Sequence, residues 1–514
     1  MAESRLNKSI KNLQVAWIGQ FLNIFAKFIM RRVFVRYISD DYLGLDAVFT
    51  NIIGLMNLAE LGIGSAVYYA LYKPLAEHDE DGVLGVMQLL GKVYRTIAWI
   101  LLGVGIALMS LLTVIAPEAK DLPYAHLLFA FYIANTCVSY LFSYKGLLAS
   151  ADQKNYIQLS NHYFFIVGLN LTQSFVIYFT RNFVVYAAVQ SLFTIAEGIS
   201  LSLIMDKKYP ILKRKDKIIL PKAVTNRIWS DVRKIVVGRV GSTIISSTDN
   251  LILANVVGLS TTGVYSNYAL IKSSLQAIVG QFQSAVSASI GNIAASGERE
   301  KELDYFWLLN FITTALYAVT GVCMFNLMQP FIAYWLGGGY LMDYGVLFCL
   351  TVIYYFGGIR GIFGTFSMAH GMFDLEAKKT IAEALVNLIV SLILGWKMGL
   401  IGVLLGTIIS SVCVGLPLEL INVGLALPEI SKRRYVMELF IYTGATVITW
   451  FISMKLCNLV SMHWYIRLPL GFLISVAVFL AVWWILFGRT KAFRRTVELG
   501  KGIAKGNHIT TPLN

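Results

Sequence analysis

Apolar runs long enough to cross a lipid bilayer recur along the whole 514-residue chain, separated by short polar connections. A bilayer core of about 30 Å needs roughly 20 apolar residues per helix. Only helices or closed barrels satisfy their backbone polar groups in lipid, and these runs are far too long for barrel strands. The chain therefore reads as an all-α polytopic membrane protein. Composition agrees. Charged residues make up 14% and hydrophobic residues 57%. A typical soluble domain carries roughly 25% charged residues. A soluble enzyme and a disordered chain are both excluded.

The apolar periodicity predicts fourteen helices. They start near Val15, Leu43, Val83, Tyr124, Tyr156, Phe183, Arg233, Gly263, Phe306, Val346, Thr380, Leu400, Tyr435 and Ile466. The positive-inside rule orients them. If the N-terminus is cytoplasmic, the outside loops hold only Lys120, Arg181, Lys397, Lys455 and Arg467. All other loop and tail cations then fall inside, so both termini are expected in the cytoplasm. The basic connection KKYPILKRKDKIILPK follows span 6 and divides the chain. Residues 1–220 form an N-lobe of six spans, 221–428 a C-lobe of six, and 429–514 two further spans with a basic tail. The connection itself reads as a topology anchor on an anionic leaflet, or as a docking surface for a cytoplasmic partner.

A shift of 219 residues lays spans 1–2 on spans 7–8. Gly19 falls on Gly238, Gly44 on Gly263, and Ser65-Ala66-Val67 on Ser284-Ala285-Val286. Span 1 carries Gln20, Asn23, Lys27 and Arg31 on one helix face. The same offset supplies Arg239, Ser242, Ser246 and Asn250 in span 7. Two parallel, pseudo-symmetric repeats are expected.

Most of the net charge of +14 is this topological signature. The functional part is the deep minority: Lys27, Arg31, Arg32, Arg239, Lys272 and Arg360. Each costs about 2.5–3.5 kcal/mol at the bilayer centre. They must face the bundle interior or a water-filled cavity. Arg239 falls in the inner half, Lys27 and Arg360 near the middle, Arg31 and Lys272 in the outer half. Cations spread through the thickness suit a path for an anionic group, and phosphates favour Arg forks and Lys point charges. In-span carboxylates are Asp46, Glu60, Glu197, Asp249, Glu383 and Glu419. Asp46, Glu60 and Asp249 are candidates for ion coupling or ion pairing, Glu60 is a candidate partner of a span 1 cation, and Glu383 is read, like Glu60, as an ion-pairing carboxylate. No metal-ligand spacing and no phosphate-loop motif occurs, and the five cysteines read as packing residues. No metal or cofactor and no nucleic-acid partner are expected.

Fourteen spans arranged six, six and two resemble the multidrug/oligosaccharidyl-lipid/polysaccharide exporter superfamily. Four strings are similar to its polysaccharide-transporter branch, the Wzx-like flippases: LGLDAVFTNIIGLMNLAELGIGSAVYYALYKPLAEHD (Leu43–Asp79), VYSNYALIKSS (Val264–Ser274), SASIGNIAA (Ser287–Ala295) and EALVNLIVSLILGWKMGLIGVLLGTIIS (Glu383–Ser410). The resemblance covers spans 1–12. It implies two six-helix lobes around a cavity with alternating access. It also implies a cargo of undecaprenyl-diphosphate-linked oligosaccharide, flipped across the bacterial plasma membrane for capsule, exopolysaccharide or O-antigen-type synthesis. Membrane lipid, glycosyltransferases and a polysaccharide polymerase are the partners it suggests. No bond is broken, so no enzyme is expected. Coupling to a Na+ or H+ gradient, or to membrane potential, stays open. So do three other readings: a lipid II-type flippase, which shares the cationic logic; a multidrug exporter, disfavoured because span 1 offers Lys27 and Arg31 where a cation exporter needs carboxylates; and a non-transporting membrane scaffold, which has no need of buried cations.

Overall fold

The computed structural model describes residues 5–56, 70–72, 74–214, 216–218, 220–222, 225–226, 229, 252–459 and 463–504. These residues are almost entirely helical. The long helices are α1 (Arg5–Tyr37), α2 (Asp40–Met56), α3 (Glu80–Ser110), α4 (Ala125–Ser143), α5 (Tyr156–Thr180), α6 (Phe183–Lys208) and α7 (Leu259–Ser296). They continue with α8 (Arg299–Trp335), α9 (Tyr344–Ala369), α10 (Phe373–Ser410), α11 (Leu416–Ala426), α12 (Lys432–Asn458), α13 (Trp464–Phe487) and α14 (Lys491–Ala504). The seventh expected span, with Arg239, Ser242, Ser246, Asp249 and Asn250, lies outside the described residues, as does Glu60.

Among the described residues, nine helical stretches are long and apolar enough to cross a membrane. One of them, Asp374–Ala426, holds two spans. Gly399 breaks it with φ 59° and ψ −137°, a backbone region that glycine enters without a Cβ clash. The arms on either side run antiparallel. Ser391 donates to the Val403 carbonyl at 3.1 Å, and Asn387 donates to Thr407 Oγ1 at 3.1 Å. A Cβ on Gly402 would lie 2.0 Å from the Leu394 carbonyl oxygen, so only glycine permits this approach. The expected spans 11 and 12 are this hairpin. α1 and α7 fall short on hydropathy because of their polar faces. Yet their 33 and 38 residues reach about 50 and 57 Å, longer than the hydrocarbon core. Large apolar side chains point outward over the long helices: Phe164, Phe179, Leu203, Trp396 and Phe440 are all exposed. On a soluble protein these would be a liability; in lipid they are the solvated face. The protein is a multi-pass membrane protein.

The chain divides into two compact units, Met1–Ser266 and Asn267–Asn514, with the boundary inside α7. In the first unit α1 lies along α5, and α4 packs against α3 and α6. Gly19 admits the Tyr163 ring, and Gly198 admits the Phe142 ring. Arg181, in a left-handed conformation at φ 50°, turns the chain between α5 and α6. Asn182 then caps α6, its side chain accepting from Val184 N at 2.8 Å. After α6 the basic connection runs along α3. Gln88 donates to the Asp216 carbonyl at 2.6 Å and accepts from Ile218 N at 3.2 Å, so one side-chain amide pairs both ways with extended backbone. Lys207, Lys208, Lys213, Lys217 and Lys222 stay exposed along it.

The second unit is built on α8 and α9. Phe306 meets Phe363 and Phe366 edge-on at 5.6 and 5.2 Å, and Val423, Leu427 and Tyr435 complete that core. The last two spans, α12 and α13, both pack on α8. Asn326 donates to Ser453 Oγ at 2.8 Å and to Ser475 Oγ at 3.0 Å, joining all three helices by a polar clamp.

Candidate functional site

The polar stripe of α1 sits within the first unit. Gln20 accepts from the Tyr163 hydroxyl at 3.2 Å. Asn23 is buried, and its Oδ1 has no hydrogen-bond donor among the described residues. Lys27 and Arg31 follow on the same face, both half-buried. Arg31 Nη1 donates to Ser266 Oγ at 3.2 Å, while its buried Nε lacks an acceptor among the described residues. Asp46 accepts from the Tyr132 hydroxyl and lies within the electrostatic reach of Arg31. Yet among the described residues neither Lys27 nor Arg31 has a carboxylate at ion-pairing distance. Among the described residues, half-burial without an ion-paired carboxylate leaves positive charge on this face, and a desolvated cation attracts an anion more strongly than a solvated one.

Arg360 is built differently. It projects from α9 into a network drawn from both arms of the α10 hairpin and from α11. Its Nε donates to Glu419 Oε2 at 2.7 Å, Nη1 to Glu383 Oε1 at 2.7 Å, and Nη2 to Glu383 Oε2 at 2.7 Å and Glu419 Oε1 at 3.0 Å. Nη1 also reaches Ser411 Oγ. All five guanidinium N–H groups are thus engaged. Lys379 donates to Glu419 Oε1 at 2.7 Å and to Glu376 Oε2 at 2.8 Å, and Asn422 donates to Glu376 Oε1 at 3.1 Å. Ser411–Gly415 form a π-helical turn, which widens the second arm just where the guanidinium enters. Gly415 is required there. A Cβ on it would lie 2.2 Å from Arg360 Nη2 and 2.5 Å from Glu383 Oε2.

Three carboxylates thus face two cations in a buried cluster, and the charge of Arg360 is internally compensated. An anion could reach Arg360 only by displacing Ser411, Glu383 or Glu419. Lys379 and Glu376 precede the helix start expected near Thr380, but α10 begins at Phe373 and carries both. Their signal was the spacing Glu376, Lys379, Glu383, which is one helix face. Lys272 is half-buried on α7, in the second unit. The structure therefore brings Gln20, Asn23, Lys27 and Arg31 onto one face and sets Arg360 in a separate cluster.

The fold and these sites define a helical, multi-pass membrane protein of two units with buried charge. Comparison with solved structures places that fold. The lipid II flippase MurJ in an inward closed conformation superposes with a TM-score of 0.61 at 14% identity, covering 93% of this chain and 99% of that one. An inward-facing multidrug resistance MATE family transporter of the MOP superfamily gives 0.58 at 13% identity, over 82% and 99%. A mutant of the Vibrio cholerae MATE transporter VcmN gives 0.55 at 11% identity, over 83% and 98%. The fold is that of MurJ and the MATE transporters of the MOP superfamily. No family model matches the chain, and no curated protein matches its sequence.

Proposed function

We propose that this protein is a flippase that moves undecaprenyl-diphosphate-linked oligosaccharide repeat units across a bacterial plasma membrane, for capsule, exopolysaccharide or O-antigen-type polysaccharide synthesis. The fold supports a transport role. The observation that carries the anionic cargo is the contrast between two sets of cations. Arg360 is neutralised by its own carboxylates, whereas Lys27 and Arg31 lack ion-pairing carboxylates among the described residues. A pyrophosphate headgroup is the kind of anion such a face attracts. The protein would not act as an enzyme, since flipping breaks no bond. Both termini would be cytoplasmic, with Na+, H+ or the membrane potential as the energy source. Glycosyltransferases and a polymerase would supply and consume the cargo.

A lipid II-type cargo is the second reading, favoured by the MurJ superposition over 93% of this chain. Both cargoes share the prenyl diphosphate. Expression in cells depleted of their own lipid II flippase separates them. Restored growth supports lipid II. Unrestored growth, with surface polysaccharide restored in a strain lacking its repeat-unit flippase, supports the oligosaccharide cargo. Neither rescue, with the protein present in the membrane, would count against both.

A further inference from the structure

α14 differs from every span in its charge pattern. It has 14 residues and carries Lys491, Arg494, Arg495, Glu498 and Lys501. The last turn of α13 presents Trp484, Ile485 and Leu486 outward, all apolar and exposed, so that helix faces lipid up to its end. Only Gly488, Arg489 and Thr490 separate Phe487 from Lys491. Four residue steps reach about 14 Å at most, so α14 begins at the edge of the hydrocarbon. It is held there from one side. Asp304, near the start of α8, accepts from Lys491 Nζ at 2.9 Å and from Arg495 Nη1 at 3.1 Å. The Phe493 ring lies edge-on to Phe311 at 6.3 Å. Ala492, Phe493, Thr496 and Leu499 are thereby half-buried, while Arg494, Val497, Glu498 and Lys501 stay exposed, as does Arg489 just before the helix. Among the described residues Arg489, Arg494 and Lys501 have no carboxylate partner.

We propose that α14 is an interfacial helix whose outer face binds the phosphate headgroups of anionic phospholipids through Arg489, Arg494 and Lys501. An amphipathic helix with a basic outer face, fixed within reach of the headgroups, has the chemistry to bind an anionic leaflet. Asp304 engages Lys491 and Arg495, leaving the other three cations available. Nothing in this inference depends on the cargo.

Hydrogen exchange of residues 489–501 tests it, using the full-length protein in nanodiscs of phosphatidylcholine alone or with added phosphatidylglycerol. Exchange should slow with phosphatidylglycerol by a factor of about five per contributing cation, and the effect should vanish in high salt. The variant R489Q/R494Q/K501Q should keep the exchange seen in phosphatidylcholine and lose the phosphatidylglycerol increment. D304N should do the reverse, losing the baseline protection and keeping the increment. Equal exchange in the two lipids, an increment that survives the triple substitution, or an increment abolished by D304N would overturn the proposal. Protection that needs an added acidic protein rather than phosphatidylglycerol would also overturn it.

Discussion

Gly44 of α2 and Gly263 of α7 meet backbone to backbone. A Cβ on Gly263 would lie 2.9 Å from Gly44 N and 2.4 Å from the Asp40 carbonyl oxygen. A Cβ on Gly44 would lie 1.9 Å from the Leu259 carbonyl oxygen. The 219-residue offset equates these two glycines. The contact gives that equivalence a physical meaning. Gly44 packs on the Leu259 backbone one turn before Gly263, and Gly263 packs on the backbone of Asp40 and Gly44, so a Cβ fits at neither position.

Backbone atoms cannot rotate aside as side chains do. Gly44→Ala and Gly263→Ala should each lower the melting temperature in detergent, with the loss set by overpacking at about 1–3 kcal/mol or more. Gly103→Ala is the control, because its Cβ would meet nothing within 4 Å. It should be neutral or slightly stabilising through helix propensity. Equal behaviour of all three variants would refute the close approach.

Removing a cation from the Arg360 network leaves uncompensated carboxylate charge in a buried site. Arg360→Ala, which leaves Glu376, Glu383 and Glu419 facing Lys379 alone, should cost about 3–5 kcal/mol and reduce the amount of folded protein in the membrane. Glu419→Ala, which leaves Arg360 with Glu383 and Lys379 with Glu376, should cost less. Loss of transport in Arg360→Ala would then follow loss of folded protein. Transport per folded molecule measures the difference. A stable Arg360→Ala protein that has lost only transport would instead place Arg360 on the cargo path.

The Asn326 clamp should contribute modestly, since polar contacts between membrane helices average about 0.6 kcal/mol. Asn326→Leu should raise hydrogen exchange in α12 and α13 while leaving α10 and α11 unchanged. Uniform loosening of the second unit would contradict the clamp.

Gln88 holds the basic connection by two hydrogen bonds to its backbone. Gln88→Leu should speed exchange at Ile218 without altering α3 itself. Unchanged protection at Ile218 would show that Leu220 and Ile218, which press on Gly85, suffice to hold the segment.

Much of this fold was legible in the residues. Apolar runs long enough to cross lipid marked the spans, and even the α10 hairpin was readable, because its break at Gly399 falls beside the expected start at Leu400. Buried ion pairs were legible only in part: Glu383, an in-span carboxylate expected to pair, meets Arg360 at 2.7 Å, whereas the Lys379 pairs were missed. Lys379 looked like a loop cation, since hydropathy scores a paired buried charge and a solvated one alike. Arg360 looked like a cargo contact, since one helix read alone does not show which carboxylates its neighbours bring. Asn326 gave no signal, being a lone amide in an apolar run whose partners stand more than a hundred residues away. The α1 stripe was visible because its members share one helix and its period.

The central claim is that the α1 face carries an anionic, lipid-linked cargo. The most direct measurement is translocation of a prenyl-diphosphate oligosaccharide in proteoliposomes by Lys27→Gln/Arg31→Gln, normalised to folded protein. The account predicts that translocation falls by about tenfold or more, equivalent to about 1.4 kcal/mol or more, while the melting temperature stays near that of the unsubstituted protein. Translocation at the unsubstituted rate by the folded double variant would contradict it.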